Sequence, residues 1–161
     1  LKILSRCLVF VLVAGFFAGC GAPKEKSFSK EGLTITLTDE FEEKALVDSL
    51  TASYTSDYCL VTTLKEDFSL FSEAGLSVDI SESEYLDMVI QSNSLENEPE
   101  ETDGLHTVTF TKEVSGQNMT YFALAKRGTD AFWLVQFACP TDTFENMRPQ
   151  FIKWAKTVTV E

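Results

Sequence analysis

One histidine, four prolines and four cysteines in 161 residues leave little room for several common chemistries. A serine or cysteine hydrolase needs an imidazole that its nucleophile can reach. The single candidate, His106, opens a strand-like run beside Leu105, with no serine or cysteine placed to use it as a base. Zinc needs ligands at characteristic spacings, and one histidine with two cysteines about 80 residues apart does not supply them. The eight glycines never gather into G-x-G-x-x-G or G-x-x-x-x-G-K, so no phosphate cradle or cofactor motif of that kind is present. Basic residues are scarce as well, 13 against 25 acidic, for a formal charge of −12. That balance excludes nucleic acid, whose backbone must be met by clustered Lys and Arg, and docking on anionic lipid through a basic face. The acidic residues are densest at Glu96, Glu98, Glu100, Glu101 and Asp103, around Pro99, without the D-x-D-x-D-G spacing of a calcium loop. The charge therefore reads as a solubilising, self-repelling surface.

What is present begins at the N-terminus. Lys2 and Arg6 make a positive start, followed by an apolar run of eleven residues from Leu8 to Ala18. A membrane-spanning helix needs roughly 20 apolar residues, and Gly19, Gly21 and Pro23 end this run first. The segment reads as the hydrophobic region of an export signal. Its end, Phe17-Ala18-Gly19-Cys20, resembles the lipobox of bacterial lipoprotein precursors, with Phe17 where lipoboxes usually carry Leu. The resemblance implies a diacylglyceryl group on the Cys20 thiol and cleavage between Gly19 and Cys20. Two acyl chains anchor a protein stably, so the chain is expected at the outer face of the cell membrane, held through Cys20. The expected organisation is a signal peptide over 1–19, a lipidated tether over 20–29 and one domain over 30–161.

Starting at Cys20 leaves 142 of the 161 residues, enough for one domain. Removing Lys2 and Arg6 lowers the charge of −12 by two, to −14. Cys59 and Cys139 then remain. An exported protein can join them in a disulfide; alternatively they stay reduced and pack as small hydrophobes. Sequence spacing leaves both alternatives open, because it does not report whether the two Cα atoms approach within ~7 Å.

Leu33-Thr34-Ile35-Thr36-Leu37 alternates as a half-buried strand does, and residues 39–49 read as irregular or briefly helical. Residues 50–56 and 58–65 suggest a hairpin. Asp67 stands as an N-cap before a short helix that Gly75 terminates, and Ser81 with Glu84 forms an S-x-x-E capping box opening a second helix with Tyr85, Met88 and Val89 inward. Residues 93–103 read as an acidic loop. Strands over 105–114, 119–127 and 131–138 follow as an antiparallel meander, with turn residues at Ser115-Gly116 and Gly128-Thr129-Asp130. A final helix carries Phe144, Met147, Phe151 and Ala155, kinked or restarted at Pro149, before a closing strand over 157–160. The order predicts an α+β fold, an antiparallel sheet with helices packed on its faces.

Aromatic side chains concentrate at Phe132, Trp133, Phe137 and Trp154. On a strand, Trp133, Val135, Phe137 and Cys139 share one face and Phe132, Leu134 and Gln136 the other, so both faces are apolar and the strand reads as central. The functional alternative is an aromatic groove at Trp133 and Trp154 for a ligand or partner.

The order of elements, with SDYCLVTTLKEDFSLFSEAGL and DAFWLVQFACPTDTF before FIKWAKTVTV, resembles the small lipoproteins of anaerobic Gram-positive bacteria assigned to the PsbP-like fold, over residues 31–161. The resemblance implies an α/β/α sandwich that binds other proteins without a shared catalytic residue. Its members include a photosystem accessory subunit, a Ran-binding import factor and DcrB-type envelope lipoproteins. The expected function is a non-enzymatic module on the membrane, binding a protein partner at the cell surface. The alternative is a small-ligand-binding protein or cryptic hydrolase with a pocket near Trp133 and Trp154.

Overall fold

Three two-residue turns, Glu31-Gly32, Asp103-Gly104 and Ser115-Gly116, reverse the chain with both residues at positive φ (48° and 97°, 54° and 77°, 53° and 82°). This is the mirror-image turn geometry whose twist matches that of paired strands, and the second position of each is a glycine because it tolerates that φ without strain. The computed structural model describes residues 22–45 and 49–161. The signal segment and Cys20 lie outside the described residues, so the expected lipid attachment does too.

The first turn joins β1 (Glu25–Lys30) to β2 (Leu33–Thr38), and β2 also pairs with the short β10 (Thr159–Val160), making a three-stranded antiparallel sheet. The fold therefore starts at Glu25, inside the segment expected to be tether. In EKSFSK only Phe28 is buried, so the strand has almost no apolar pattern to betray it. Pairing with β2 and the Ser29–Thr34 hydroxyl contact of 2.8 Å hold it instead.

The main sheet has seven strands, all antiparallel: β3 (Glu42–Glu43), β4 (Ala52–Thr55), β5 (Leu60–Asp67), β6 (Glu100–Thr102), β7 (Leu105–Val114), β8 (Gln117–Arg127) and β9 (Ala131–Pro140), in the order β3-β4-β5-β9-β8-β7-β6. The expected hairpin is β4–β5 and the expected meander is β7–β8–β9. β9 is central, as its two apolar faces required. Both edges are very short strands, which limits unwanted pairing with other chains. β6 lies within the expected acidic loop; it is an exposed edge of three residues, too short and too charged to show as a strand in sequence.

Two layers cover the sheet. On one face lie α1 (Phe68–Glu73) and α2 (Glu82–Ser92). α2 opens with the complete capping box: the Glu84 amide donates to Ser81 Oγ at 3.2 Å and the Ser81 amide to Glu84 Oε2 at 2.7 Å. Asp67 occupies the N-cap of α1 but its side chain makes no cap bond there; it pairs with Lys65 Nζ at 3.3 Å instead. On the other face lie α3 (Phe144–Ala155) and the three-stranded sheet, whose Leu33, Ile35 and Leu37 point into the same core as Phe137 and Phe151. A helix there was expected; a second sheet was not. α3 is one continuous helix through Pro149, so no new helix starts there. The result is the expected α+β sandwich, with one outer layer part helix and part sheet.

Candidate functional site

The aromatic residues proposed as a groove are core. Trp133 is 1% and Trp154 4% exposed, so neither lines an open surface. Trp133 sits on β9 facing the α3 layer, with Lys65 Nζ 5.8 Å from its ring centroid. Trp154 meets Phe41 edge-on at 5.2 Å and lies 6.3 Å from Phe137 and 6.0 Å from Phe151. Sequence reasoning found the cluster and its face; the cover supplied by α3 and β2 turns a candidate groove into a packed layer.

His106 is partly exposed on β7 opposite Glu101 of β6. Among the described residues no three His, Cys, Asp or Glu side chains converge as metal ligands would, and no helix is long and apolar enough to cross a membrane.

The opposite face of the sheet holds a polar arrangement that sequence reasoning missed. Glu66 on β5 is 3% exposed, and Tyr85 on α2, fully buried, donates its hydroxyl to Glu66 Oε2 at 2.5 Å. Tyr85 stacks on Phe132 with centroids 4.7 Å apart and planes 7° from parallel. Cross-strand register places Glu66, Phe132 and Arg127 in one row over β5, β9 and β8. The Arg127 guanidinium lies 4.8 Å from the Phe68 ring centroid and 5.2 Å from that of Phe132, and donates to the carbonyls of Val78 and Ile80, the latter at 3.0 Å. The Arg127 amide in turn donates to Glu82 Oε1 at 3.0 Å. These bonds tie the α1–α2 connection and the start of α2 to the sheet. Burial raises the Glu66 carboxyl above its ordinary range, against the lowering effect of the Tyr85 hydrogen bond, and burial raises Tyr85 well above a normal phenol. The signal was available. In β5 the residues Leu60, Thr62, Leu64 and Glu66 alternate onto one face, which puts a carboxyl at the end of an inward row.

Further along the same face, the Tyr121 hydroxyl is buried without a protein hydrogen-bond partner among the described residues, its ring stacked on Phe110 at 5.0 Å. Burial pushes its phenol up to about 12.

Cys59 and Cys139 are both buried and both hold free thiols, in the core layer under α3. Cys59 immediately precedes β5 and Cys139 lies near the end of β9. The Ser56 hydroxyl is 3.6 Å from the Cys59 sulfur. Burial pushes the Cys59 thiol up to about 12 and raises that of Cys139 as well, so both are poor nucleophiles in the folded protein.

The class these layers define is an α+β sandwich whose central antiparallel sheet is covered on both faces. Its particular form is the PsbP-like fold: the chain superposes on the solution structure of cyanobacterial PsbP (CyanoP) from Synechocystis sp. PCC 6803 with a TM-score of 0.56 at 9% identity, covering 91% of this chain and 98% of that one. It also matches the crystal structure of LpqN, described as involved in cell envelope biogenesis of Mycobacterium tuberculosis, with a TM-score of 0.50 at 8% identity, covering 87% of this chain and 92% of that one. No family profile and no curated protein matches the sequence. At such identities the likeness shows the fold alone.

Proposed function

We propose that the chain is an extracytoplasmic accessory module, anchored by lipid on Cys20 at the outer face of the cell membrane and binding another protein there without catalysing a reaction of its own. The observation that carries this reading is where the fold begins. β1 starts at Glu25, so only residues 21–24 separate it from Cys20. At ~3.3–3.6 Å per extended residue, the start of the domain stays within roughly 20 Å of the lipid. A charge of −12 over the whole sequence repels anionic headgroups, so the lipid contact belongs to the anchor, and the outward surfaces are left for a partner. The likeness to LpqN, whose description places it in envelope biogenesis, supports the same setting.

Mass spectrometry of the mature protein is expected to find a diacylated N-terminal cysteine at position 20. An unmodified Cys20 overturns the anchor. Gentle extraction from membranes and affinity recovery of the full chain is expected to bring down one stoichiometric protein, abolished by pre-incubation with excess soluble domain. Repeated recovery of the bait alone overturns the binding role.

A further inference from the structure

Cys59 and Cys139 are distant in sequence, and each lies one residue beyond the terminal Leu60–Ala138 pair of the β5–β9 ladder. The β5–β9 ladder runs without a break from Asp67 opposite Ala131 to Leu60 opposite Ala138. Continued by one residue, that register would set Cys59 opposite Cys139. Rungs of an antiparallel ladder alternate between hydrogen-bonded pairs, with Cα atoms ~5.5 Å apart, and non-hydrogen-bonded pairs at ~4.5 Å.

Three main-chain hydrogen bonds decide which kind this rung is. The Phe68 amide donates to the Asp130 carbonyl at 2.8 Å, a bonded rung from which alternation makes Leu60 and Ala138 bonded and Cys59 and Cys139 not. The Ser56 amide donates to the Cys59 carbonyl at 3.0 Å, so that carbonyl points toward β4 and away from β9. The Gly128 amide donates to the Ala131 carbonyl at 2.9 Å, and the unbroken β8–β9 register then turns the main-chain groups of Cys139 toward Thr120, away from β5. All three agree. The rung is of the close kind, its expected Cα separation of ~4.5 Å falls inside the 4.4–6.8 Å that a disulfide spans, and both side chains enter the same buried layer.

We propose that in the exported protein Cys59 and Cys139 are oxidised to a cross-strand disulfide that staples β5 to β9. The proposal rests on the extracytoplasmic reading for its oxidising surroundings. The oxidant is a second disulfide, on a small thiol compound or a thiol–disulfide oxidoreductase. One cysteine thiolate attacks it, forming a mixed disulfide and releasing one donor sulfur; the other cysteine thiolate then displaces the second donor sulfur. The donor S–S bond breaks, the Cys59–Cys139 bond forms, two electrons pass to the donor, and the two thiol protons end on the donor sulfurs. Because burial disfavours both thiolates, the exchange belongs to folding or to transient opening, before α3 and β2 cover the rung. Once formed, the bond is sheltered by the same layer. It closes a loop of about 80 residues, the long-loop case in which a crosslink restricts the unfolded chain most.

Two measurements on the full chain test this. Protein extracted from host membranes in the presence of an alkylating agent and digested without reduction is expected to give one linked pair of peptides, carrying Cys59 and Cys139, that dithiothreitol separates. The same chain refolded from denaturant in a glutathione redox buffer is expected to form the same link, with a higher denaturant midpoint than its reduced form. In the Cys59→Ala/Cys139→Ala double variant the link and the reductant sensitivity both disappear. Absence of the link after refolding overturns the proposal through its geometry. A link after refolding with both cysteines alkylated in the membrane extract overturns it for the exported protein, and locates the failure in the compartment rather than in the rung.

Discussion

On the α3 face of the main sheet the layers meet almost entirely through apolar and aromatic side chains, with Phe137 ringed by Phe122, Phe151 and Trp154; on the α1–α2 face, the same kind of packing surrounds a buried carboxyl, a buried phenol and an arginine. The first layer is held by area, which is indifferent to pH. The second adds directional bonds that fix how the short α1, the α1–α2 connection and α2 sit, at the cost of burying a group that titrates. Short helices with few inward residues gain most from such anchors, because α1 alone buries only Phe71 fully.

The largest effect is expected where area alone does the holding. Phe137→Ala removes a ring with no exposed surface from the α3 layer and should cost about 3–5 kcal/mol, read as a drop in the urea midpoint that is the same from about pH 5 to pH 8. A loss that varied strongly with pH would mean the two layers are coupled.

Next comes the polar face. Because the folded-state pKa of Glu66 is raised by burial, its neutral form is the one the fold prefers. Its contribution is fully present below the ordinary value of 4.5 and is lost as pH rises through the raised folded value. Glu66→Gln keeps an acceptor for Tyr85 and removes the titration, so it should be more stable than the parent at neutral pH and flatten the profile of midpoint against pH. Tyr85→Phe should cost about 1–3 kcal/mol, more at pH 8 than at pH 5, since it leaves the carboxyl without its donor. Identical pH profiles for the parent and Glu66→Gln would show that this carboxyl is not buried.

The smallest effect separates the two helices of that face. Ser81→Ala removes the Ser81 Oγ that accepts from the Glu84 amide, leaving only the main-chain half of the α2 capping box, and should cost about 1 kcal/mol, whereas Asp67→Ala at the start of α1 should stay within about 0.5 kcal/mol, because no cap bond exists there to lose. Equal losses in thermal unfolding would remove the distinction.

The residues that made parts of this fold legible are those whose signal is local. Ser81 and Glu84 mark a helix start by chemistry contained in four residues, and the run from Phe132 to Cys139 marks a central strand because both of its faces are apolar. β1 and β6 escaped notice because an edge strand is held by main-chain pairing, which leaves EKSFSK and EET without an apolar pattern. The Leu33–Leu37 alternation announced a strand with one wet face, and that wet face is why it belongs to an outer layer and not to the central sheet.

By itself, the sequence determined which positions point inward on each element, since side-chain direction follows from the two-residue period of a strand and the 3.6-residue period of a helix. Only the tertiary structure decided which inward faces meet. It closed Trp133 and Trp154 beneath other side chains, joined Glu66 of β5 to Tyr85 of α2, and brought Cys59 and Cys139 into one buried layer at the same end of the β5–β9 ladder. Such pairings depend on strand register and layer order, which long-range packing selects and no local pattern encodes.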